Sequence, residues 1–349
     1  MVRVGIVGIG FMGWIHWLAY QRIPGVQVTA ICSTDPRKRA GDWTGIQGNF
    51  GPAGEQVDLS RVATYADLST MLAENELDLL DVCLPPSLHR EAVLQGLRTG
   101  RNVFCEKPLA LRTEDCEAMV AAATQARRRL FVGHVLPFFP EFAYVHRLAQ
   151  SGTYGRLLGG SFKRVISDPL WLKDYYNPDI VGGPLIDLHV HDAHFIRLLF
   201  GNPQTVMARG RTQGAVVSYC HTLWQYSDPN MVVHSCSGVL RQPGRPFCHG
   251  FEVHFEQATV QFELAAFTDH SATIPLRVWD HQGRVEQPDL GSGDEITPFQ
   301  HEIAEVLDCL RRDRDSEILG GELARDAIRI AQQQSDAVWQ QHRHAPQDG

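Results

Sequence analysis

The chain from residue 2 to about residue 133 alternates short apolar runs with stretches of helical periodicity. This rhythm is typical of repeated strand-helix-strand units and predicts a parallel sheet. The predicted strands are Val2 to Val7, Val26 to Cys32, Leu77 to Leu84, Asn102 to Cys105 and Leu130 to His134. The predicted helices are Trp14 to Gln21, Ala66 to Glu74, Leu88 to Thr99 and Glu114 to Ala126, and the glycine-rich stretch Gly41 to Gly54 is predicted to be a surface loop.

Beyond Pro137 and Pro140, strands follow one another with few helices between them, which predicts a largely antiparallel sheet. The predicted strands are Leu157 to Ile166, Thr205 to Arg211, Met231 to Leu240, Phe251 to His254 and Thr259 to Leu264. Helices are predicted near Glu141 to Gln150, Leu185 to Phe200, His301 to Arg311 and Glu322 to Gln341. This change in the pattern of strands and helices predicts two domains, residues 1–128 and residues 129–349.

Composition narrows the class of protein. The 349 residues fit two domains of ordinary size, and the formal charge of -8 disfavours a nucleic-acid partner. No apolar run approaches the roughly 20 residues of a membrane span. Met1 to Arg3 lead directly into a strand, leaving no room for a signal peptide, so we expect a cytoplasmic protein. The eight cysteines show no zinc-type spacing and are expected to be reduced thiols.

A glycine motif, Gly8-Ile9-Gly10-Phe11-Met12-Gly13, follows the first strand and opens the first helix. Gly8 allows a tight turn, Gly10 lets the backbone approach a pyrophosphate, and Gly13 lets the helix pack on the sheet. The helix N-terminus then faces the phosphates. We therefore predict an α/β fold that begins with a Rossmann doubly wound parallel sheet and binds a dinucleotide, followed by an α+β domain with an open, mainly antiparallel sheet.

The end of the second strand bears on the choice of cofactor. An acid there would accept from the ribose of NAD, but this chain has Ser33 and Thr34, followed by Arg37 and Lys38. Small hydroxyls and cations suit a 2′-phosphate, so NADP is favoured. The alternative is that Asp35 contacts the ribose of NAD and that the two cations are solvated.

Two further strand ends carry candidate residues, because ligands collect at the carboxyl ends of parallel strands. The segment after Leu79 to Leu84 is expected to line the cofactor crevice, and Ser87 is also predicted to cap the next helix. Its candidate cofactor residues are Leu84, Pro85, Ser87 and His89. At the following strand end, Lys107 is positioned to stabilise negative charge on a substrate oxygen, with Glu106 as an orienting partner or a cofactor contact.

The segment from Gly182 to His194 contains most of the remaining candidate acid-base and metal-binding residues. In a helix, Asp187, His191 and His194 share one face and His189 points roughly the opposite way. An aspartate four residues before a histidine suits acid-base work near neutral pH. Two alternatives stay open: a helix that merely contains several histidines, or a three-ligand metal face.

Five segments, in this order, resemble the glucose-fructose oxidoreductase / inositol dehydrogenase (Gfo/Idh/MocA) family of NAD(P)-dependent oxidoreductases. They are Gly5 to Gly13, Leu84 to His89, Glu106 to Pro108, Val132 to His134 and Gly183 to His191. The resemblance is dense to about residue 200 and weak beyond. The chain departs from the commoner pattern at His189 and His194, where glycine and aspartate are frequent. Ser33 and Thr34 resemble the NADP-using members.

The resemblance implies that Lys107 is the catalytic lysine, Asp187 a substrate-orienting aspartate and His191 the acid-base histidine. His134 and Trp171 are the other expected substrate contacts. The implied reaction interconverts a secondary alcohol and a ketone on a sugar, polyol, inositol or sugar derivative, without a metal. The implied assembly is a homodimer or homotetramer through the second sheet. The alternatives are an NAD-dependent glycosidase of the same fold and a non-catalytic ligand sensor.

Overall fold

The computed structural model describes residues 1–344, so residues 345–349 of the predicted second domain lie outside the described residues. The chain divides into two compact units. The first contains residues 1–138 and 292–325, and the second contains residues 139–291 and the chain from residue 326 onward. Each unit is therefore built from two separate stretches of sequence.

The first unit contains a six-stranded parallel sheet. Its strands are β1 (Val2–Val7), β2 (Val26–Cys32), β3 (Ala63–Tyr65), β4 (Leu79–Val82), β5 (Asn102–Glu106) and β6 (Leu130–Gly133), in the order β3-β2-β1-β4-β5-β6. The helices between them are α1 (Phe11–Gln21), α2 (Pro36–Arg39), α3 (Leu68–Glu74), α4 (Pro86–Arg98) and α5 (Thr113–Ala126). Val4, Ile6, Leu79 and Leu80 have no exposed surface, as expected in a parallel sheet covered on both faces. The predicted doubly wound sheet is confirmed.

The second unit contains an eight-stranded sheet. After α6 (Pro140–Ser151) come β7 (Leu157–Ser167), a π-helical turn (Leu185–His189) continuous with α7 (Val190–Phe200), β8 (Thr205–Gln213), β9 (Val216–Gln225), β10 (Val232–Leu240), β11 (Phe247–Phe255), β12 (Ala258–Ala266), β13 (Ser271–Asp280) and β14 (Val285–Glu286). The order is β14-β13-β12-β11-β7-β10-β9-β8, with β7 and β10 parallel and the other neighbouring strands antiparallel. The predicted mainly antiparallel sheet is confirmed. The last helices are α8 (Thr297–Arg312) in the first unit and α9 (Gly321–His344), which runs into the second.

One face of this second sheet is covered and the other is exposed. Along β9, Cys220 and Trp224 are buried, whereas His221 and Leu223 are exposed. On the covered side, Phe142 of α6 packs against aromatic rings of α7, β11 and β12, with ring centroids 5.0 to 6.3 Å apart. This alternation is what an antiparallel sheet with one solvated face requires.

Several local predictions were wrong or incomplete. Ser87 does not cap α4: the helix begins at Pro86 and its N-cap is Pro85, without a side-chain cap hydrogen bond. Proline suits the first helical position because its φ is already fixed there. The stretch from Gly41 to Gly54 contains no helix or strand, but it is not simply a surface loop. Trp43 is fully buried, because its ring packs edge-on against Trp14 and Trp17 of α1.

The elements α2, β3, β9, β13 and β14 were not predicted. Most are short or carry many polar residues, so their apolar periodicity is weak. No helix among residues 1–344 has the length and apolar character needed to cross a membrane.

Candidate active site

The strands of the first sheet bring several predicted residues to one edge. Val7 pairs with both Cys32 and Val82, and Val82 pairs with Cys105, so β1, β2, β4 and β5 end side by side. The residues that follow these strands are Gly8, Ser33, Cys83 and Lys107. The strand order reverses between β1 and β4, which is where an open parallel sheet leaves a ligand crevice.

The glycine motif fits a dinucleotide. Gly8 has a φ of 95°, and a Cβ there would lie 2.6 Å from the Cys83 carbonyl oxygen, so only glycine suits this turn. A Cβ on Gly13 would lie 2.3 Å from the Gly8 carbonyl oxygen. At Gly10, by contrast, a Cβ would meet nothing within 4 Å. The motif therefore closes tightly around itself while leaving space at Gly10, where α1 begins without a side-chain cap.

The end of β2 is organised by its own short helix. The Asp35 carboxylate accepts from the main-chain N–H of Arg37 at 2.9 Å and so caps α2. The Ser33 hydroxyl accepts from the N–H of Asp35 at 3.2 Å. The side chain of Arg37 is 77% exposed. Thr34 is exposed and Lys38 is half-buried. Asp35 thus has a local structural partner, while Arg37 extends into solvent near the strand end.

His89 links the two turns that follow β4 and β5. Its Nε2 lies 2.7 Å from the Leu84 carbonyl oxygen and its Nδ1 lies 2.8 Å from the Pro108 carbonyl oxygen. The ring is fully buried, and burial lowers its pKa. Both nitrogens of His89 face main-chain oxygens, so the ring fixes the relative position of these turns. Its predicted contact with the cofactor stays a prediction, as do those of Pro85 and Ser87.

Glu106 and Lys107 lie at the end of β5. The Glu106 carboxylate is buried, and one of its oxygens accepts from the main-chain N–H of Lys107 at 3.1 Å. Lys107 itself is half-buried. His134, which follows β6, is fully buried. The orienting role or cofactor contact predicted for Glu106 and the substrate contact predicted for His134 stay predictions.

In the second unit, Asp187 lies within the π-helical turn and His191 in the first turn of α7. Turns of π-helix are rare and often occur at functional sites. Gly183, with a φ of 76°, leads into this segment, and a Cβ there would lie 2.8 Å from Val216. Asp187 and His191 are both half-buried, so each keeps some accessible surface.

His189 and His194 differ from these two residues because both are fully buried. His191 and His194 were predicted to share one helix face, and they do so only approximately. Three residues of α-helix rotate the side chain by about 300°, which leaves it about 60° away from His191. Burial lowers the pKa of His189 to about 4, so this ring is neutral near pH 7. The sequence marked His189 and His194 only as departures from the commoner family pattern, and their burial was not predicted.

Sequence reasoning missed the ion pair that holds α7 to the sheet. Asp192 accepts from Arg164 of β7 at 2.7 and 3.3 Å, and both side chains are almost completely buried. Such a two-point, charge-assisted contact fixes orientation as well as distance. Arg164 lies at an inward-facing position of a predicted strand, and that unusual placement was the available signal.

The segment between β7 and the π-helical turn combines buried and exposed aromatic rings. Tyr175 is buried, and burial together with the nearby Asp187 carboxylate raises its pKa. Trp171 is 64% exposed and is flanked by exposed Leu170 and Leu172. Trp171 therefore offers an accessible ring, and its predicted substrate contact stays a prediction.

Metal-type geometry occurs once among residues 1–344. His16, Asp81 and Cys83 present ligand atoms that all lie within 4.8 Å of one another. Their separations of 2.9 to 3.4 Å are explained by hydrogen bonds among these side chains. Asp187, His191 and His194 do not form such a group. The predicted absence of a metal stays a prediction.

The chain belongs to the Gfo/Idh/MocA family. A family model described as "Oxidoreductase family, NAD-binding Rossmann fold" matches residues 2–134. The GFO/IDH/MocA C-terminal domain matches residues 142–261. The resemblance and the predicted dinucleotide-binding Rossmann fold are thereby confirmed.

Two curated relatives illustrate the range of the family. The chain is 24% identical over 263 residues to 1,5-anhydro-D-fructose reductase of Ensifer adhaerens, covering 69% of this chain and 75% of that protein. It is 28% identical over 162 residues to a Glycosyl hydrolase family 109 protein of Shewanella baltica (strain OS155 / ATCC BAA-1091), covering 46% and 34%. Other curated relatives at 27% identity are matched over 53% of their length, so the chain spans about half of them.

Among solved structures, the aldose-aldose oxidoreductase from Caulobacter crescentus complexed with glycerol has a TM-score of 0.79. It is 20% identical to this chain and the match covers 97% of this chain and 98% of that one. At this identity the comparison shows the fold alone.

Proposed function

We propose that the protein is an NADP-dependent oxidoreductase that interconverts a secondary alcohol and a ketone on a sugar, polyol, inositol or sugar derivative. The observation that carries the proposal is the set formed by Lys107, Asp187 and His191. Lys107 follows a strand at the cofactor edge of the first unit, and the other two residues lie half-buried on the helical segment of the second. The family resemblance assigns catalytic roles to all three.

Each residue has a role that its chemistry can perform. His191 exchanges the proton of the substrate hydroxyl, because an imidazole titrates near neutral pH. Lys107 donates to a substrate oxygen and stabilises the charge that develops there. Asp187 orients the substrate, and Trp171 offers an apolar ring surface to a sugar. The nicotinamide, when bound, supplies the hydride exchange.

NADP is proposed over NAD because of the residues around β2. Ser33 and Thr34 carry no charge that would repel a 2′-phosphate, and Arg37 and Lys38 supply cations nearby. Asp35 is engaged as the cap of α2, which supports this choice. In the competing proposal, Asp35 leaves that cap and accepts from the ribose of NAD.

A homodimer or homotetramer through the second sheet is also proposed. Its exposed face carries Met207, Leu223 and Val232 on the neighbouring strands β8, β9 and β10. Apolar residues grouped on one open face favour self-association. Sedimentation of the native protein and of Leu223→Glu tests this: we expect an oligomer in the first case and a smaller species in the second.

The function is tested by supplying NADP or NAD with a panel of sugars, polyols and inositols and following the absorbance of the reduced cofactor. Lys107→Ala and His191→Ala should each lower kcat by about 100-fold or more, the usual range for such groups. The Kd of the cofactor should change much less. Near-normal turnover in both variants would contradict the assignment.

The second candidate is a glycosidase of the same fold, favoured by the similarity to a glycosyl hydrolase family 109 protein. Such a reaction leaves no net reduced cofactor, so glycoside cleavage without an absorbance change would support it. A non-catalytic sensor is disfavoured by the presence of Lys107, Asp187 and His191 together.

A further inference from the structure

The first unit contains a buried group of titratable side chains beside the cofactor edge. We call it the His16 cluster, and its members are His16, Tyr20, Asp81, Cys83, Glu106 and Glu302. They come from α1, β4 and the turn after it, β5, and α8. Buried charges are costly unless they are paired, so a group of this size needs an explanation.

His16 lies between two carboxylates. Its Nδ1 is 2.9 Å from Asp81 Oδ2 and its Nε2 is 3.0 Å from Glu106 Oε1, while Phe104 stacks on the ring at 5.2 Å. An ionised carboxylate can only accept, so with both acids ionised both ring nitrogens donate and the ring is an imidazolium. Burial opposes this charge, but the neighbouring Asp81 and Cys83 side chains together raise the pKa of His16 well above its usual value.

The remaining members of the His16 cluster add no charge to it. Tyr20 donates to Asp81 at 2.9 Å. Burial raises the pKa of the Cys83 thiol, which therefore stays protonated. Glu302 is fully buried, and burial together with the charge of Glu106 raises its pKa well above the usual range. His16 is thus the cation of this cluster, and its single charge partly compensates the carboxylates of Asp81 and Glu106.

Glu106 connects His16 to the main chain at Lys107. Its Oε2 accepts from the main-chain N–H of Lys107 at 3.1 Å. Gly133 of β6 packs against the same carboxylate, since a Cβ there would lie 2.9 Å from Oε1. The carboxylate is therefore held by an imidazolium, a main-chain N–H and a neighbouring strand.

We propose that His16 is a positioning residue for Lys107: by donating to Glu106, it holds the carboxylate that fixes the main chain at the end of β5. The proposal rests on the proposed function only in that Lys107 is the group being positioned for catalysis. Without the imidazolium, no cation of the cluster compensates the negative charges of Glu106 and Asp81. We then expect the Glu106 carboxylate to turn away from the Lys107 N–H. A misplacement of about 1 Å at a reacting group can lower a rate by about 100-fold.

The environment of the Lys107 main-chain amide can be measured directly by NMR. The chain has four lysines, Lys38, Lys107, Lys163 and Lys173, so protein labelled with ¹⁵N-lysine gives four main-chain amide signals. In His16→Gln, the Lys107 signal should shift and its hydrogen should exchange faster. Tyr20→Phe is the matched control, because it removes a hydrogen bond from the same helix to Asp81 without touching Glu106. Its Lys107 signal should stay in place.

Kinetics provide the second readout. His16→Gln should lower kcat by about 10- to 100-fold and change the KM of the cofactor by less than about twofold, whereas Tyr20→Phe should keep the native kcat. Glu106→Gln should also lower kcat. Because His16 acts through Glu106, the double variant should be no slower than the slower single variant.

The two readouts separate this proposal from the proposed function. If no substrate is turned over, the proposed function fails, and the amide signal still decides whether His16 holds the main chain at Lys107. An unmoved Lys107 signal in folded His16→Gln would overturn the proposal, as would multiplicative losses in the double variant. If His16→Gln does not fold, Glu106→Gln must shift both the Lys107 amide and the His16 ring signals, and unchanged signals would refute the proposal.

Discussion

The contrast between Gly10 and Gly13 gives a sharp test of cofactor binding. In Gly10→Ala the new methyl group meets nothing within 4 Å, and the φ of -102° at this position suits any residue. The exchange of glycine for alanine at an N-cap costs about 1 kcal/mol or less. The folded state should therefore change little. The methyl group would, however, occupy the space through which a pyrophosphate approaches the backbone.

Gly13→Ala is the matched control with the opposite expectation. Its Cβ would lie 2.3 Å from the Gly8 carbonyl oxygen, about 0.7 Å inside the 3.0 Å limit that real Cβ contacts respect. That oxygen belongs to the backbone and cannot rotate away. Overpacking of this kind costs about 1–3 kcal/mol, so Gly13→Ala should lower the free energy of unfolding by that amount.

Urea unfolding and fluorescence titration with NADP measure the two effects separately. For Gly10→Ala we expect near-native stability and a Kd raised by about tenfold or more, equivalent to about 1.4 kcal/mol. Native affinity in Gly10→Ala would refute the view that the pyrophosphate lies against Gly10. Native stability in Gly13→Ala would refute the packing argument.

Three further predictions address other parts of the molecule. The native protein should bind NADP about tenfold more tightly than NAD, because charge-assisted hydrogen bonds to a phosphate are strong. Ser33→Asp should reverse that order in titrations at fixed salt. Tighter binding of NAD by the native protein would refute this prediction. Asp192→Asn should lower the free energy of unfolding by about 3–5 kcal/mol, because it leaves Arg164 buried without its charged partner. Arg156→Ala, which removes the exposed ion pair with Glu256, should lower it by at most about 1 kcal/mol. Equal effects of the two substitutions in urea unfolding would contradict this prediction. Burial lowers the pKa of His249 to about 2, so the unfolded chain binds more protons between about pH 6.5 and pH 2 and stability is lost as pH falls through that window. His249→Phe should flatten this loss, and an unchanged slope would show that the ring is not buried in its neutral form.

Features read from neighbouring residues could be predicted from the sequence. The glycine motif is one example, because the turn at Gly8, the open space at Gly10 and the close packing at Gly13 all lie within six positions. The order of strands and helices around it followed from apolar periodicity. The same local reasoning failed at Ser87, where two prolines before it start the helix without a side-chain cap.

Contacts between distant residues could not be predicted in this way. His16 and Glu106 are 90 positions apart, and Arg164 and Asp192 are 28 apart, so nothing in either local pattern pairs them. The different burial of His191 and His194 depends on how α7 packs on the sheet, which periodicity alone does not determine. Registry and packing decide these features, and a single sequence does not specify them locally.

The central claim is that carbon-bound hydrogen passes between a substrate alcohol and the nicotinamide, with Lys107 and His191 acting on the oxygen. The most direct measurement uses a substrate from the panel with deuterium on the reacting carbon and follows the label by mass spectrometry. We predict that deuterium appears in the reduced cofactor, with one equivalent of ketone for each reduced cofactor formed. Product that forms while the cofactor remains oxidised and unlabelled would contradict the claim.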